Sequence, residues 1–253
     1  CRDIVMIELR EVNKFYGKSH AVKNVSFEVE EGQTLVLLGR SGCGKTTTLK
    51  MINRLIPFDS GDILINGISI GDWNPIQLRR NIGYVFQNIG LFPHLNIYDN
   101  LVIVPRLLRW EPKKIAKWLG NIMDILQIDK TLLKRKPRQL SGGQRQRIGV
   151  GRALIGNPDI VLMDEPFGAL DPITREEIQE EFSSVKHLIQ KTIIFVTHDI
   201  HEAFTIGDKI CLFEEGEIAQ LGTPYEIINE PANEFVERFI ARHLNMLKKE
   251  IKE

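Results

Sequence analysis

The amino-acid sequence predicts an α/β fold, in which short buried strands alternate with helices. Three apolar runs have the length of buried strands and end abruptly in polar residues. A fourth apolar run leads into a glycine-rich loop that a helical pattern follows. Ligands of open α/β sheets bind at the carboxyl ends of strands, so we expect these polar residues to gather near the loop. The runs are 82–86 before Gln87, 160–163 before Asp164 and Glu165, 193–196 before Thr197 and His198, and 34–38 before Gly39.

The other strand signals lie towards the two ends of the chain. Residues 6–10 and 25–30 alternate apolar and polar side chains, which is typical of half-buried strands. An Asn-Gly pair at 66–67 lies between short β-rich runs and predicts a hairpin turn. A Glu-Gly pair at 215–216 is expected to join two late strands.

Between Gln87 and Asn157 the sequence becomes helical in character. Pro112 suits the first turn of a helix, and the apolar residues after it form one stripe. Trp118 lies on this stripe and is expected in the core, whereas Trp110 has no predicted partner. A later helix begins after Asp171, whose side chain can cap it. The predicted core residues are Ile115, Trp118, Leu119, Ile122, Ile125 and Leu126 on the first helix, and Ile178, Phe182, Val185 and Ile189 on the later one.

The composition is that of an ordinary globular protein. The 253 residues are 43% hydrophobic and 26% charged, and the formal net charge is zero. A balanced charge gives no basic footprint for nucleic acid. No apolar stretch approaches the length of a membrane span, so we expect a cytoplasmic protein or one that is peripheral on the cytoplasmic face. The three cysteines have neither a disulfide nor a metal-ligand spacing.

Residues 39–48 match the pattern G-x-x-x-x-G-K-[ST] of the phosphate-binding P-loop, in the required strand–loop–helix context. The glycines let backbone N–H groups face one anionic group, and the following helix adds the positive end of its dipole. Lys45 supplies a charge for the β- and γ-phosphates of a nucleotide, and the Thr46 hydroxyl can bind Mg²⁺. Cys43 is interpreted as filling a small-residue position in the loop.

A second anion-binding element is predicted at residues 140–147, which read LSGGQRQR. Ser141 is a good N-cap for the helix that follows, and two glycines expose backbone N–H groups at its positive end. A capped helix start alone does not explain the Gly-Gly pair, because each glycine costs about 1 kcal/mol in a helix.

Together, the P-loop and the LSGGQ sequence resemble the ATP-binding-cassette (ABC) family. Its other motifs follow in order across residues 6–240: an adenine-stacking aromatic residue, a Q-loop glutamine, Walker B with a catalytic glutamate, a D-loop and a switch histidine. The agreement of all these motifs in one order makes a chance match negligible. The matching residues are Tyr16, Gln87, Asp164 and Glu165, Ala169-Leu170-Asp171, and His198.

The resemblance implies a site that binds ATP and Mg²⁺. It assigns catalysis to Glu165, which would polarise the attacking water, and to His198, Lys45 and Gln87. It assigns Mg²⁺ to Thr46, Gln87 and Asp164. The residues that would bind nucleotide are Tyr16, Gly39, Arg40, Ser41, Gly42, Cys43, Gly44, Lys45, Thr46 and Thr47, with Ser141, Gly142, Gly143, Gln144 and Asp171.

The resemblance also implies an architecture and partners. The fold would be a P-loop NTPase cassette with a RecA-like mixed-sheet core, an antiparallel β subdomain and an inserted helical subdomain. One cassette would occupy 1–253, with the core at 1–88 and 158–240, the helical subdomain at 89–157 and a tail at 241–253. The chain has one P-loop and one LSGGQ, so two cassettes would pair head-to-tail around two ATP molecules, as a homodimer. Transmembrane permease subunits and, indirectly, an extracytoplasmic solute-binding protein would complete the assembly, without nucleic acid.

Finer matches at 51–56, 89–94 and 163–175 resemble the osmoprotectant importers, which move glycine betaine, carnitine, choline or proline betaine. Import of another solute, such as methionine, a sulfonate or an amino acid, remains an alternative. In this branch the stretch 89–94 would help to form a groove for a permease helix, with Leu91, Phe92 and Pro93 as apolar anchors. A soluble ABC ATPase of DNA repair or translation is a further alternative that the balanced charge disfavours.

Three departures from the family pattern stand out. Arg40 replaces the usual proline, where it either adds charge near the phosphates or faces solvent. Gly149 and Gly151 both follow the LSGGQ sequence, so we expect a softened helix there. Many relatives carry paired CBS domains after the cassette, and the length of this chain leaves no room for them. Either its regulation differs or the sequence is truncated.

Overall fold

The structure, a computed structural model, describes residues 4–168 and 170–241. Ala169, the side chain of Val185 and most of the predicted tail (242–253) lie outside the described residues. The chain divides into two compact units: unit 1 comprises Cys1–Asp72 and Phe195–Glu253, and unit 2 comprises Trp73–Ile194. The predicted division into core and helical subdomains remains a prediction.

The described elements alternate as the α/β prediction requires. The strands are β1 (Val5–Tyr16), β2 (Ser19–Glu30), β3 (Thr34–Gly39), β4 (Ser60–Ile65), β5 (Ile68–Ser69), β6 (Ile82–Val85), β7 (Ile160–Asp164), β8 (Thr192–Thr197), β9 (Lys209–Glu214) and β10 (Glu217–Gly222). The α-helices include α1 (Lys45–Ile52), α2 (Pro75–Asn81), α3 (Ile97–Leu107), α4 (Pro112–Ile125), α5 (Gly142–Leu154), α6 (Pro172–Ile189), α7 (Ile200–Ile206) and α8 (Pro224–Asn229). Residues 234–241 are also helical. Two 3-10 helices lie at Lys130–Lys134 and Pro137–Gln139.

Unit 1 contains an antiparallel sheet in the order β2-β1-β4-β5. In β2, buried and exposed residues largely alternate, because one face of the sheet packs on the core. The turn between β4 and β5 falls on the predicted Asn-Gly pair: Asn66 has φ 52° and Gly67 has φ 73°. A type I′ turn needs positive φ at both positions, so the hairpin prediction is confirmed.

Unit 1 also contains strands of mixed direction. β3 pairs parallel with β9, and β9 pairs antiparallel with β10. All six residues of β3 are buried, which explains why this strand reads as an unbroken apolar run rather than an alternating one. The chain leaves β3 at Gly39 and enters α1 at Lys45, so the P-loop joins these two elements.

Unit 2 holds the parallel pair β6 and β7 and the helices α2 to α6. The two strands align from Ile82↔Ile160 to Val85↔Met163. On α4 the predicted stripe is buried at Ile115, Leu119 and Ile122, while Met123 rather than Ile125 completes it. On α6, Ile178 and Phe182 are buried and Ile189 is half-buried.

Two sequence interpretations in unit 2 change. Trp118 is only half-buried, and its ring lies 6.1 Å from that of Trp110, so the two tryptophans are partners. Gly149 and Gly151 allow side chains of neighbouring segments to pack closely against α5. The prediction of a softened helix did not include this role. A Cβ at Gly149 would lie 2.7 Å from Ile89 Cγ2, and one at Gly151 would lie 3.1 Å from a Leu101 methyl carbon.

Within residues 4–168 and 170–241, every helix is too short or too polar to cross a bilayer.

Candidate functional site

The P-loop of unit 1 has a backbone that only glycine permits at two positions. Gly39 has φ 150°, and a Cβ there would lie 2.5 Å from the Phe213 carbonyl oxygen. Gly44 has φ 106°, and a Cβ there would lie 2.6 Å from the Ala21 carbonyl oxygen. The two contacts pin the start and the end of the loop against β9 and β2, which shapes it before any ligand binds.

Lys45 is held inside this loop. Its side chain is 4% exposed, and Nζ donates hydrogen bonds to the carbonyl oxygens of Gly39 at 2.7 Å and Arg40 at 2.9 Å. Cys43 Sγ lies 3.6 Å from Nζ, and Cys43 is buried, in agreement with its predicted packing role. An ammonium fixed in this way is a pre-positioned charge for an anion in the loop.

Thr46 and Thr47 follow Lys45 in the first turn of α1, where both are half-buried. Arg40, Ser41 and Gly42 form the exposed rim of the loop. A Cβ at Gly42 would meet no atom within 4 Å, so its positive φ of 83° rather than a close contact favours glycine there. The backbone of the rim is therefore open for an approaching anion.

The other predicted residues of unit 1 lie at strand ends. Tyr16 is 51% exposed at the end of β1, and the Lys14 ammonium lies 5.6 Å from its ring centroid. His198 is exposed and follows β8 directly. Sequence reasoning missed the stack of Phe15 on His20, whose ring centroids lie 3.9 Å apart.

In unit 2 the structure brings Gln87 and Glu165 together. Gln87 Nε2 donates a hydrogen bond to Glu165 Oε2 at 3.1 Å. The register of the parallel strands explains this contact: Val85 aligns with Met163, and each functional residue stands two positions further on. Glu165 adopts φ 42°, an uncommon conformation for a residue other than glycine. Strained backbone of this kind is often found at functional sites.

Asp164 precedes Glu165 as the last residue of β7 and is 6% exposed. Tyr84 on β6 is also buried, and its hydroxyl has no hydrogen-bond partner among the described residues. Burial, and secondarily the charge of Asp164, raises the pKa of Tyr84 above its ordinary value of 10.0. Tyr84 therefore stays neutral at physiological pH. Tyr84 lies in an apolar run of the sequence, which gave no signal that its hydroxyl would be buried without a partner among the described residues.

The LSGGQ segment forms the predicted cap at the start of α5. Ser141 Oγ accepts a hydrogen bond from the Gln144 backbone N–H at 3.2 Å, and Gln144 Oε1 accepts one from the Ser141 N–H at 3.0 Å. The glycines have a second purpose that the sequence did not reveal. A Cβ at Gly142 would lie 3.3 Å from a Leu170 methyl carbon, and one at Gly143 would lie 2.9 Å from Thr174 Cγ2.

Asp171 caps α6 as predicted. Its Oδ1 accepts a hydrogen bond from the Thr174 backbone N–H at 3.1 Å, and this bond lowers the pKa of the exposed carboxyl group below 3.8. The caps of α5 and α6 thus share a packed neighbourhood, since Thr174 also meets Gly143. Within unit 2, Gln87, Asp164 and Glu165 supply amide and carboxylate oxygens, and within unit 1 Thr46 supplies a hydroxyl. Oxygen donors of these kinds are the ligands that Mg²⁺ takes in proteins.

Comparisons with known proteins place this site in a family. A family model described as ABC transporter matches residues 22–168, which include the P-loop, Gln87, the LSGGQ segment and Glu165. The chain belongs to the ABC transporter family. The α/β fold and the order of its motifs agree with that membership.

Two relatives in this family are similar along most of the chain. The glycine betaine/carnitine/choline transport ATP-binding protein OpuCA of Bacillus subtilis (strain 168) is 50% identical over 94% of this chain and 63% of its own. The osmoprotectant import ATP-binding protein OsmV of Salmonella typhimurium is 49% identical over 94% and 64%, respectively. The chain therefore spans less than two thirds of the length of both relatives.

A solved structure of an ABC cassette is also similar. The dimeric, post-hydrolysis ATP-binding cassette MJ0796 with bound ADP and Pi shares 33% identity and superimposes with a TM-score of 0.76. The match covers 87% of this chain and 99% of that one.

Proposed function

We propose that this chain is the ATP-hydrolysing subunit of an importer that takes up a quaternary-amine osmoprotectant. The observation that carries the ATPase assignment is the Gln87–Glu165 hydrogen bond, because it fixes a carboxylate next to the buried Asp164. Placing two carboxylates side by side costs hydration and brings like charges together, so their proximity indicates a bound cation and a functional role. The choice of solute is supported by the names of the similar relatives.

Each candidate site residue would have a separate role in phosphoryl transfer. The P-loop N–H groups and Lys45 would hold the β- and γ-phosphates, and Tyr16 would stack on the adenine. Glu165 would accept a proton from the attacking water, oriented by the amide of Gln87. His198 would contact the γ-phosphate. When bound, Mg²⁺ would be held by Thr46, Gln87 and Asp164, and would neutralise charge on the phosphates.

The same assignment needs a second cassette. Ser141 caps the start of α5, where the N–H groups of Gly142 and Gly143 would bind an anion, and the chain has one such element for its one P-loop. We infer a head-to-tail homodimer in which Ser141 and Gln144 of one chain, together with Asp171, close on ATP held by the other. The cassette MJ0796 is dimeric, which supports this arrangement.

Permease subunits would complete the assembly and would hold the dimer on the cytoplasmic face of the membrane. The stretch 89–94 contributes Gly90 and Phe92 to an apolar groove, while the lining of that groove includes neither Leu91 nor Pro93. A permease helix seated there would transmit ATP-driven closure. A solute-binding protein would deliver the solute from outside.

The test is reconstitution with the native permease and binding protein, followed by uptake of radiolabelled glycine betaine, carnitine and choline. ATP-dependent uptake of at least one is expected, and Glu165→Gln should abolish it. Uptake of methionine or a sulfonate instead would overturn the choice of solute and leave the ATPase assignment intact. Absence of ATP hydrolysis with every solute would overturn the whole proposal.

A further inference from the structure

The hairpin of β1 and β2 in unit 1 ends in a tip that carries Tyr16. A two-residue turn, Gly17-Lys18, follows this tyrosine, and the strand pairing behind it shifts register on both sides of Lys14. The Tyr16 ring is exposed, with the Lys14 ammonium 5.6 Å from its centroid, so little packing holds the ring directly. A hairpin is only marginally stable by itself, so the direction of the tip depends on the side chains at its base.

A buried asparagine, Asn13, lies at the base of this tip. It is 8% exposed, and its Nδ2 donates hydrogen bonds to the Glu11 carbonyl oxygen and to Asn24 Oδ1, both at 2.8 Å. Its Oδ1 accepts a hydrogen bond from the Asn24 backbone N–H at 3.0 Å. These three bonds fix the orientation of the Asn13 amide, so that its oxygen can only accept a further bond.

His20, on β2, makes that further bond. Its Nε2 lies 2.9 Å from Asn13 Oδ1. Because this oxygen is an acceptor, the imidazole carries a proton on Nε2 and donates it. The bond to a buried partner orients the ring, which distinguishes His20 from a histidine that only faces solvent.

The imidazole of His20 also holds Phe15, the residue before Tyr16. The two residues stand opposite each other in the strand pairing, and their rings stack with the planes 15° apart. The Phe15 backbone N–H donates a hydrogen bond to Asp59 Oδ2 at 2.6 Å. Phe15 is therefore fixed through its ring and through its backbone, and one peptide bond connects it to Tyr16.

The backbone that follows the imidazole packs against the P-loop. The carbonyl oxygen of Ala21, the next residue, lies 2.6 Å from the position of a Cβ at Gly44. The carbonyl oxygen of His20 lies 3.3 Å from the position of a Cβ at Gly216, whose N–H donates a hydrogen bond to the Cys43 carbonyl oxygen at 3.2 Å. His20 thus lies between the tip that carries Tyr16 and the loop that would hold the phosphates.

We propose that His20 is a positioning residue for the nucleotide. Through Asn13 and Phe15 it would hold Tyr16 at the distance from the P-loop at which the adenine of a bound ATP can stack. This role rests on the proposed function, because it requires Tyr16 to bind the base. It predicts that His20 contributes to the binding of the base and not of the phosphates, whereas a histidine that only stabilised the sheet would affect both alike.

The test compares two ligands of the full chain by calorimetric titration, Mg-ATP and inorganic triphosphate, of which only ATP has a base. His20→Ala should raise the Kd for ATP about three- to tenfold, a part of the energy of one base–aromatic stack, and leave the Kd for triphosphate within about twofold. His20→Phe keeps a ring that can stack on Phe15 and loses the Nε2 donor, so its Kd for ATP should lie in between. His201→Gln removes an exposed imidazole from α7 and is the control that should change neither value.

Tyr16→Ala distinguishes positioning from a general effect on the fold. It should itself weaken ATP about tenfold relative to triphosphate. In that background, His20→Ala should cause no further loss of ATP affinity, because the residue through which it acts is gone. In ATPase assays, His20→Ala should raise KM and leave kcat within about twofold, because the base takes no part in the chemical step.

Three results would overturn this role of His20. Equal losses of ATP and triphosphate affinity in His20→Ala would leave it a structural residue, and additive losses in the double variant would show that it does not act through Tyr16. An unchanged Kd for ATP in both His20 variants would exclude it from nucleotide binding, and His20→Phe keeps the test decisive if His20→Ala does not fold. Each of these results would leave the ATPase proposal standing, whereas failure of the original chain to bind ATP would overturn the proposed function and this role together.

Discussion

At the scale of single residues, the fold fixes one polar side chain of each unit in advance. Lys45 is bonded to the carbonyl oxygens of its own loop, and Glu165 is bonded to Gln87. Both side chains are thereby positioned before a ligand arrives. Pre-positioned charge is the main protein contribution that phosphoryl transfer needs, because little covalent chemistry remains for the protein to perform.

The first prediction concerns Glu165→Gln. The substitution keeps the shape of the side chain and removes its charge, so ATP binding should persist while turnover falls by about 100-fold or more. Steady-state ATPase assays and nucleotide titration measure the two quantities separately. Glu176→Gln, an equivalent change at an exposed position of α6, is the control. Near-normal turnover in Glu165→Gln would remove Glu165 from the mechanism.

At the scale of elements, some glycines lie where helices and strands pack closely against one another. Gly143 allows the start of α6 to reach α5, and Gly83 allows the end of α5 to reach β6. By contrast, Gly120 lies inside α4, and a Cβ there would meet no atom within 4 Å. Substitution of a closely packed glycine and of an open one should therefore have opposite effects on stability.

The second prediction compares two alanine substitutions. Gly83→Ala should lower the free energy of unfolding by about 1–3 kcal/mol, because the Ala153 carbonyl at 2.6 Å must move. Gly120→Ala should raise it by about 0.5–1 kcal/mol, because alanine restricts the unfolded chain and crowds nothing. Urea unfolding of the two variants gives both values. A loss of stability in Gly120→Ala would contradict the packing described for α4.

At the scale of the whole molecule, the proposed head-to-tail dimer predicts how activity depends on assembly. If two chains form each complete site, hydrolysis should rise more steeply than linearly with protein concentration in the dilute range. Dilution should also abolish activity before it abolishes ATP binding. Activity strictly proportional to concentration, down to samples that sedimentation shows to be monomeric, would exclude closure between two chains.

Ser141→Arg provides a separate prediction for the same assembly. A bulky cation at the start of α5 should block the partner's nucleotide, so hydrolysis should be lost while ATP binding by the single chain stays within about threefold, since every group that binds nucleotide in that chain remains. Ala116→Arg, on the exposed face of α4, should affect neither quantity. If Ser141→Arg hydrolyses ATP at the original rate, the LSGGQ segment has no part in the site.

The stability of the folded chain should also depend on pH at the alkaline end. Burial raises the pKa values of Tyr84 and Cys211 above their ordinary values of 10.0 and 9.0. The folded state therefore holds these protons more tightly than the unfolded state. Their contribution to stability is complete below pH about 9 and is lost as the pH rises beyond the ordinary values.

The variant Tyr84→Phe tests this dependence. It removes one titrating group and a hydroxyl that has no partner among the described residues. The free energy of unfolding should change little at pH 7, and its decline between about pH 9 and pH 11 should become shallower than in the original chain. An unchanged alkaline slope would show that Tyr84 titrates normally in the folded protein.

The sequence by itself determined the parts of this protein that short stretches of chain encode. The P-loop, the Asn-Gly hairpin and the caps at Ser141 and Asp171 each depend on a few consecutive residues, whose backbone preferences and hydrogen bonds are local. The strands β3, β6, β7 and β8 could also be predicted from the sequence, because a strand that is buried on both faces appears as an apolar run. The family motifs then supplied roles for residues that spacing alone left open.

Only the tertiary structure decided which distant groups meet. Gln87 and Glu165 are 78 positions apart, and their hydrogen bond follows from the pairing register of β6 and β7. Gly149 gave the same sequence signal whether it softened a helix or made room for Ile89. Register and close packing depend on the neighbours that folding brings together, which no local pattern specifies.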